Sequence, residues 1–101
     1  MQTLLSQVIT PVDVATYDTK QEDGNSFIIK AKSTKTTNLH IYVTRHGEDG
    51  MQLYKMGVED NQPNDLVISR NVASLSVMFD TEKDTTTQVQ VEINAFKPRG
   101  K

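Results

Sequence analysis

The feature that most constrains this chain is a period-two alternation of apolar and polar residues, which recurs in several short segments. It is clearest over residues 88–95, where Val89, Val91 and Ile93 alternate with Gln, Glu and Asn side chains. Such alternation is typical of a β-strand with one buried side and one solvent-facing side. No window of about fifteen residues keeps an unbroken helical period, so we expect at most one turn of helix, near residues 3–7. The pattern therefore predicts an all-β protein.

The alternating segments also suggest how the strands pair. Residues 73–79 and 88–95 flank a polar stretch at 80–87, which predicts an antiparallel pair joined by a long hairpin. Residues 27–32 are likewise predicted to pair with residues 39–43. Both predictions place consecutive strands side by side in one sheet.

The front and middle of the chain are less regular. Residues 51–56 and 66–68 are predicted to be extended, and Pro63, in the loop between them, argues against a buried strand at that point. Near the start, Pro11 lies among Val and Ile residues. A proline in such a run indicates either an edge strand interrupted at the proline or a strand that changes sheets.

Seven or eight short strands in 101 residues, with no helices to cover a sheet, favour a two-sheet antiparallel β-sandwich over a small closed barrel. The spacing suits a jelly-roll type of sandwich, in which long hairpins cross between the sheets. We predict one domain over residues 1–101, because this length supports a single core. The predicted core consists of the inward members of the alternating segments: Phe27, Ile29, Leu39, Ile41, Val43, Leu75, Val77, Phe79, Val89, Val91 and Ile93.

Composition excludes several classes of function. With no Cys there is no disulfide framework, thiolate metal site or cysteine nucleophile. The first ten residues lack Lys and Arg, and their apolar run breaks at Ser6 and Gln7, so we expect neither a signal peptide nor a membrane span. A net charge of −2, with 11 basic and 13 acidic residues, provides no general attraction to nucleic acid, which we do not expect as a partner.

The sequence offers little for catalysis. His40 and His46 are the two histidines, and neither lies in a nucleophile motif or in a spaced pair of metal ligands. Asp80, Glu82 and Asp84 resemble the opening of a calcium loop, but the position that requires glycine is Thr85. A structural calcium elsewhere stays open as an alternative, because several loop residues carry oxygen ligands: Glu48, Asp49, Glu59, Asp60 and Asp65. We predict a protein that is not an enzyme and has no cofactor, catalytic residue or metal site.

One strand carries a candidate ligand face. His40 and Tyr42 alternate with apolar residues, and Arg45 follows at the end of the segment. An aromatic ring beside a hydroxyl and a cation could stack on a sugar or an unpaired base. The alternative interpretation is ordinary cross-strand packing, and the lack of Trp leaves few rings for a carbohydrate platform.

Four segments, at residues 27–33, 39–43, 73–79 and 88–94, resemble the strand rhythm of carbohydrate-binding-module-like jelly rolls. A small Cys-free domain with 12 Thr and 6 Asn also resembles the decoration or cementing proteins of tailed-phage capsids. That resemblance implies a virion structural protein that binds the major capsid protein or a similar lattice. The alternative is a carbohydrate-binding module of jelly-roll type, although the usual sugar-stacking Trp has no counterpart here.

Under the leading hypothesis the protein is made in the host cytoplasm, joins the virion and forms a dimer or trimer. A lattice-binding protein needs an apolar contact or an arm that orders on docking. We consider residues 1–10 a candidate arm and residues 97–101 a basic tail. The candidate partner-binding residues are the uncharged, apolar members of the arm: Leu4, Leu5, Val8 and Ile9.

Overall fold

The structure, a computed structural model, describes residues 2–18, 26–69, 71–80 and 86–96. These residues form eight β-strands and contain no helix, which confirms the all-β prediction. The basic tail at 97–101 lies outside the described residues. The strands are β1 (Gln2–Ile9), β2 (Val14–Asp18), β3 (Ser26–Ser33), β4 (Thr37–Arg45), β5 (Gln52–Val58), β6 (Asn64–Ile68), β7 (Val72–Phe79) and β8 (Val89–Phe96).

The strands form two four-stranded sheets that pack face to face as a β-sandwich, as predicted. Sheet 1 has the order β1-β8-β3-β6, and sheet 2 has the order β2-β7-β4-β5. Every pair of neighbouring strands is antiparallel. Each sheet therefore has an inner face in the core and an outer face available for contacts.

The pairing is nested along the chain: β1 pairs with β8, β2 with β7, β3 with β6 and β4 with β5. The first four strands thus run against the last four like one long hairpin that folds over on itself. Its turn is the loop between β4 and β5, where Gly47 and Gly50 have φ angles of 78° and 86°. A side chain is strained at these angles, so glycine permits this reversal.

Both predicted strand pairs are wrong. β7 and β8 lie in different sheets, and so do β3 and β4. The reason is that alternation specifies only which side of a strand is buried, and both sheets of a sandwich have a buried inner side. Each connection except the one between β4 and β5 crosses from one sheet to the other.

The N-terminal segment is an edge strand. Residues 3–7, the expected site of a helical turn, are instead part of β1, and the candidate arm pairs with β8 from Gln2 to Ile9. After β1 the chain passes Pro11 and enters sheet 2 as β2, so the strand changes sheets at the proline. A short turn fixes this crossing, because Asp13 Oδ2 accepts hydrogen bonds of 2.9 Å from the backbone amide and hydroxyl of Thr10.

The core contains all eleven residues of the predicted set, each at most 6% exposed. One detail differs from prediction. The alternation of Leu75, Val77 and Phe79, continued to residue 73, predicts that Ala73 lies on the inner face, but a register shift opposite Arg45 leaves Ala73 partly exposed and buries Val72 instead. Such a bulge adds one residue to a strand and shifts the alternation on one side of it.

Candidate binding surfaces

The predicted ligand face divides between the two sides of β4. His40 and Tyr42 lie together on the outer face of sheet 2, half-buried, whereas Arg45 is buried on the inner side. The prediction that these three residues share a face is therefore wrong for Arg45. The alternation along β4 indicates this burial, because Arg45 is an even number of residues from the core residues Ile41 and Val43.

A row of uncharged side chains crosses the outer face of sheet 2 through Tyr42. Tyr42 lies opposite Leu53 of β5 and Ser76 of β7, and Ser76 lies opposite Thr16 of β2. The Ser76 and Thr16 hydroxyl oxygens are 3.3 Å apart. The next row runs from Val14 through Met78 and His40 to Lys55. Lys55 marks the charged edge of this surface. We call its uncharged part and His40 the Tyr42 face: Val14, Thr16, His40, Tyr42, Leu53, Ser76 and Met78.

Rings and apolar side chains dominate the Tyr42 face. The His40 and Tyr42 rings pack edge to face, with centroids 6.2 Å apart and an interplanar angle of 88°. Val14 and Leu53, at opposite edges of the sheet, are 49% and 42% exposed. The sequence suggested only His40 and Tyr42, because the other members come from distant segments that strand register brings together.

His40 is held at one end of the Tyr42 face. Its Nε2 lies 3.2 Å from Oδ1 of Asp80, a distance suited to an ion pair when the imidazole is protonated. The two groups lack the alignment of a hydrogen bond, and Nε2 is buried without another partner among the described residues. The ring therefore lies between the Asp80 carboxylate and the edge of Tyr42.

Arg45 links the two sheets at one end of the sandwich. Its Nε and Nη2 donate to the Ser69 carbonyl oxygen, which follows β6 of sheet 1, at 3.3 and 3.2 Å. Nη2 also donates to the Tyr54 hydroxyl at 2.8 Å, and Nη1 donates to Gln52 Oε1. The guanidinium carbon lies 5.9 Å from the centre of the Tyr54 ring. Arg45 therefore has a structural role at this site, as a planar donor group satisfied from several directions.

Replacing Arg45 with alanine should lower the free energy of unfolding by about 2 kcal/mol, because hydrogen bonds to a charged group contribute about 1.5–3 kcal/mol. Arg45→Lys should recover little of this loss, since an ammonium cannot reproduce the planar fork. Urea unfolding curves measure both values. Lys55→Ala, at an exposed position of the same sheet, is the control. A loss below about 0.5 kcal/mol for Arg45→Ala, as for surface changes, would contradict the structural role.

Three of the four candidate partner-binding residues of the N-terminus pack against the core. Ile9 is completely buried, and Leu4 and Leu5 are partly buried against the core. The bulge between Thr3 and Leu5 allows both leucines to approach the interior. Of the four, Val8 alone is an exposed apolar side chain, at 49%.

A shallow groove of about 600 Å³ lies on the outer face of sheet 1. Lys30 lies opposite Glu92 of β8 and Asp65 of β6, and Lys32 lies opposite Gln90. The Gln90 amide donates to the Ser6 hydroxyl at 2.9 Å. The groove thus offers alternating cations, carboxylates and amides, and it has no aromatic ring among its lining residues: Ser6, Lys30, Ala31, Lys32, Pro63, Asp65, Gln90 and Glu92.

The acidic loop residues within the described ranges do not converge. Among the residues that the structure describes, no three His, Asp or Glu side chains are close enough together to hold a metal ion. The calcium-like motif falls mostly on residues 81–85, outside the described part of the chain. Within the described ranges, no helix is long and apolar enough to cross a membrane.

Comparison of the sequence with protein-family models and with curated proteins found no match. The function is therefore inferred from the chemistry of the surfaces of the protein.

Proposed function

We propose that this protein is a non-enzymatic virion structural protein that binds an assembled capsid lattice through the Tyr42 face. Its partner is the major capsid protein or a similar protein lattice, and the protein acts as a dimer or trimer in the virion after synthesis in the host cytoplasm. The nested strand pairs support a jelly-roll sandwich, the fold type that the sequence suggested and one found in capsid proteins.

The observation that carries the proposal is the uncharged central row of the Tyr42 face. The centres of protein interfaces are depleted of charged residues and enriched in Tyr and Met. Here Tyr42 lies between Leu53 and Ser76, and Met78 lies in the next row. The outer face of sheet 1 has an uncharged row through Ile28 and Val67, but Lys30, Asp65 and Glu92 cross the face beside it. The Tyr42 face is the better candidate for a protein contact because it adds Tyr42 and Met78 to its uncharged row.

The proposal predicts that Tyr42→Ala weakens binding to assembled capsids by about 30-fold. A central aromatic anchor contributes about 2 kcal/mol or more, and each 1.4 kcal/mol corresponds to a tenfold change. The measurement is co-sedimentation with a panel of purified tailed-phage heads, in parallel with their free capsid subunits. Binding should persist in high salt, because contacts between uncharged groups are little affected by screening.

Val67→Ala is the matched control, since Val67 is 52% exposed on the outer face of sheet 1. It should bind like the parent protein and unfold at the same urea concentration. Absence of binding to every head in the panel, or equal binding to free subunits, would refute lattice recognition.

The second candidate function is a carbohydrate-binding module, which the groove of sheet 1 favours. Its carboxylates, amide and ammonium groups offer acceptors and donors side by side for sugar hydroxyls. Retention on a polysaccharide column, competed by soluble sugar and lost in Asp65→Asn, would support this function. The absence of a ring among the groove residues makes it the weaker candidate, because sugars stack on aromatic faces.

A further inference from the structure

The four edge strands of the sandwich differ in how well they are protected. An exposed edge strand invites pairing with another chain, and proteins prevent this with short strands, bulges, prolines and charged side chains, especially Lys. β2 and β6 have five residues each, and Pro63 immediately precedes β6. β1 has a bulge between Thr3 and Leu5. These three edges thus carry recognisable protection.

β5 has neither a bulge nor a proline, and its protection is one exposed charged residue, Lys55. It has seven residues, contains no proline, and pairs with β4 in unbroken register from Gln52 to Val58. Its other edge faces away from β4, because β5 is the last strand of sheet 2. Lys55 is its one charged residue, and Leu53 is 42% exposed beside it. β5 is therefore the longest edge strand that pairs in unbroken register, and Lys55 is its one charged obstacle to an added strand.

Negative charge flanks both ends of β5. Glu48 and Asp49 precede the strand, Glu59 and Asp60 follow it, and all four are exposed. A second copy of the chain is a poor occupant for this reason. In a symmetric antiparallel pair centred on Tyr54, Glu48 would face the other copy's Asp60, and Asp49 would face its Glu59. Like charges placed directly opposite each other destabilise a strand pair.

We infer that β5 pairs with an extended segment of another protein that has a β-branched centre and Lys or Arg residues at both ends. The backbone edge supplies the hydrogen bonds of an added strand, and the two acidic ends select the basic flanks. The inference rests on the proposed function in one respect, that the partner is a protein. Leu53 belongs to both surfaces, so an added strand would extend the Tyr42 face.

The test uses a synthetic peptide with the sequence Lys-Lys-Val-Thr-Val-Thr-Val-Lys-Lys, blocked at both ends, and a second peptide with Glu in place of every Lys. Nitrogen–proton NMR spectra should show the Lys-flanked peptide shifting the β5 amides and slowing their hydrogen exchange. Its affinity should exceed that of the Glu-flanked peptide at least tenfold at low salt. The difference should shrink at about 1 M salt, where charges are screened beyond about 3 Å.

Two sets of variants sharpen the test. Leu53→Lys should weaken binding of the Lys-flanked peptide about tenfold or more, because it places a second charged side chain beside Lys55 on the edge strand. Val67→Lys, on the edge strand β6 of sheet 1 with similar exposure, should leave binding within about twofold. The double variant Glu48→Lys with Glu59→Lys should lose the preference for basic flanks.

Several results would overturn the inference: no change at the β5 amides at about 1 mM peptide, changes confined to β2, or a β5-mediated dimer in light scattering. The double charge variant also separates this inference from the proposed function. If it binds phage heads as the parent does and the Lys-flanked peptide leaves the β5 amides of the parent unchanged, lattice binding stands and strand addition at β5 fails. If the peptide pairs with β5 while no head binds, the edge site stands and the capsid proposal fails.

Discussion

A chain that begins at Thr10 should fail to fold into the native sandwich. Residues 2–9 form the edge strand β1, which pairs with β8 along its length and contributes the completely buried Ile9. Deletion would expose the β8 backbone edge and remove Leu4 and Leu5 from the margin of the core. Burying one large apolar side chain contributes about 1.5–3 kcal/mol, and a whole domain is stable by only about 5–15 kcal/mol. We therefore expect no cooperative thermal transition and collapsed dispersion in the amide NMR spectrum.

The matched control is Val8→Thr in the full-length chain, which changes an exposed side chain of β1 and keeps the strand. It should unfold within about 0.5 kcal/mol of the parent, as surface substitutions do. A truncated chain with native dispersion and an unchanged midpoint would show that β1 is dispensable. The N-terminal segment would then again be a candidate arm for docking.

The inner faces of the strands were predictable because side-chain alternation depends only on strand geometry. Every second residue of β4 points the same way, so Leu39, Ile41 and Val43 had to be buried together. The alternation fails at residues 72 and 73, where a bulge buries Val72 and leaves Ala73 partly exposed. A bulge depends on the neighbouring strand, which the sequence of one strand does not specify.

The assignment of strands to sheets could not be predicted in the same way. β7 and β8 have the alternation expected of neighbours, yet β8 pairs with β1 and β3. Strands from opposite sheets bury their inner sides in the same core, so burial does not distinguish them. The connections at Pro11 and Pro63, where a proline interrupts the ladder, carried a local signal for crossing between sheets.

The candidate surfaces, too, were predictable within one strand but not across neighbouring strands. His40 and Tyr42 were predictable as outward neighbours on one strand, whereas Met78 and Leu53 join them only through the register of β4 with β7 and β5. Arg45 was grouped with them because its charge suggested the surface. A long polar side chain can nevertheless be buried when its donors are satisfied, as those of Arg45 are by Tyr54 and other acceptors.

The second large loss of stability is expected from a substitution in the core. Phe79, 6% exposed at the end of β7, lies opposite Leu39 in the register of sheet 2. Phe79→Ala should lower the free energy of unfolding by about 3–5 kcal/mol, because it removes buried ring surface and leaves a cavity that a two-sheet core fills poorly. Urea unfolding gives the value, and Val67→Ala on the outer face of sheet 1 is the control, expected to cost less than about 0.5 kcal/mol. A loss below about 1 kcal/mol for Phe79→Ala would mean that the ring contributes no more than a surface residue, and that the core ends before the last residue of β7.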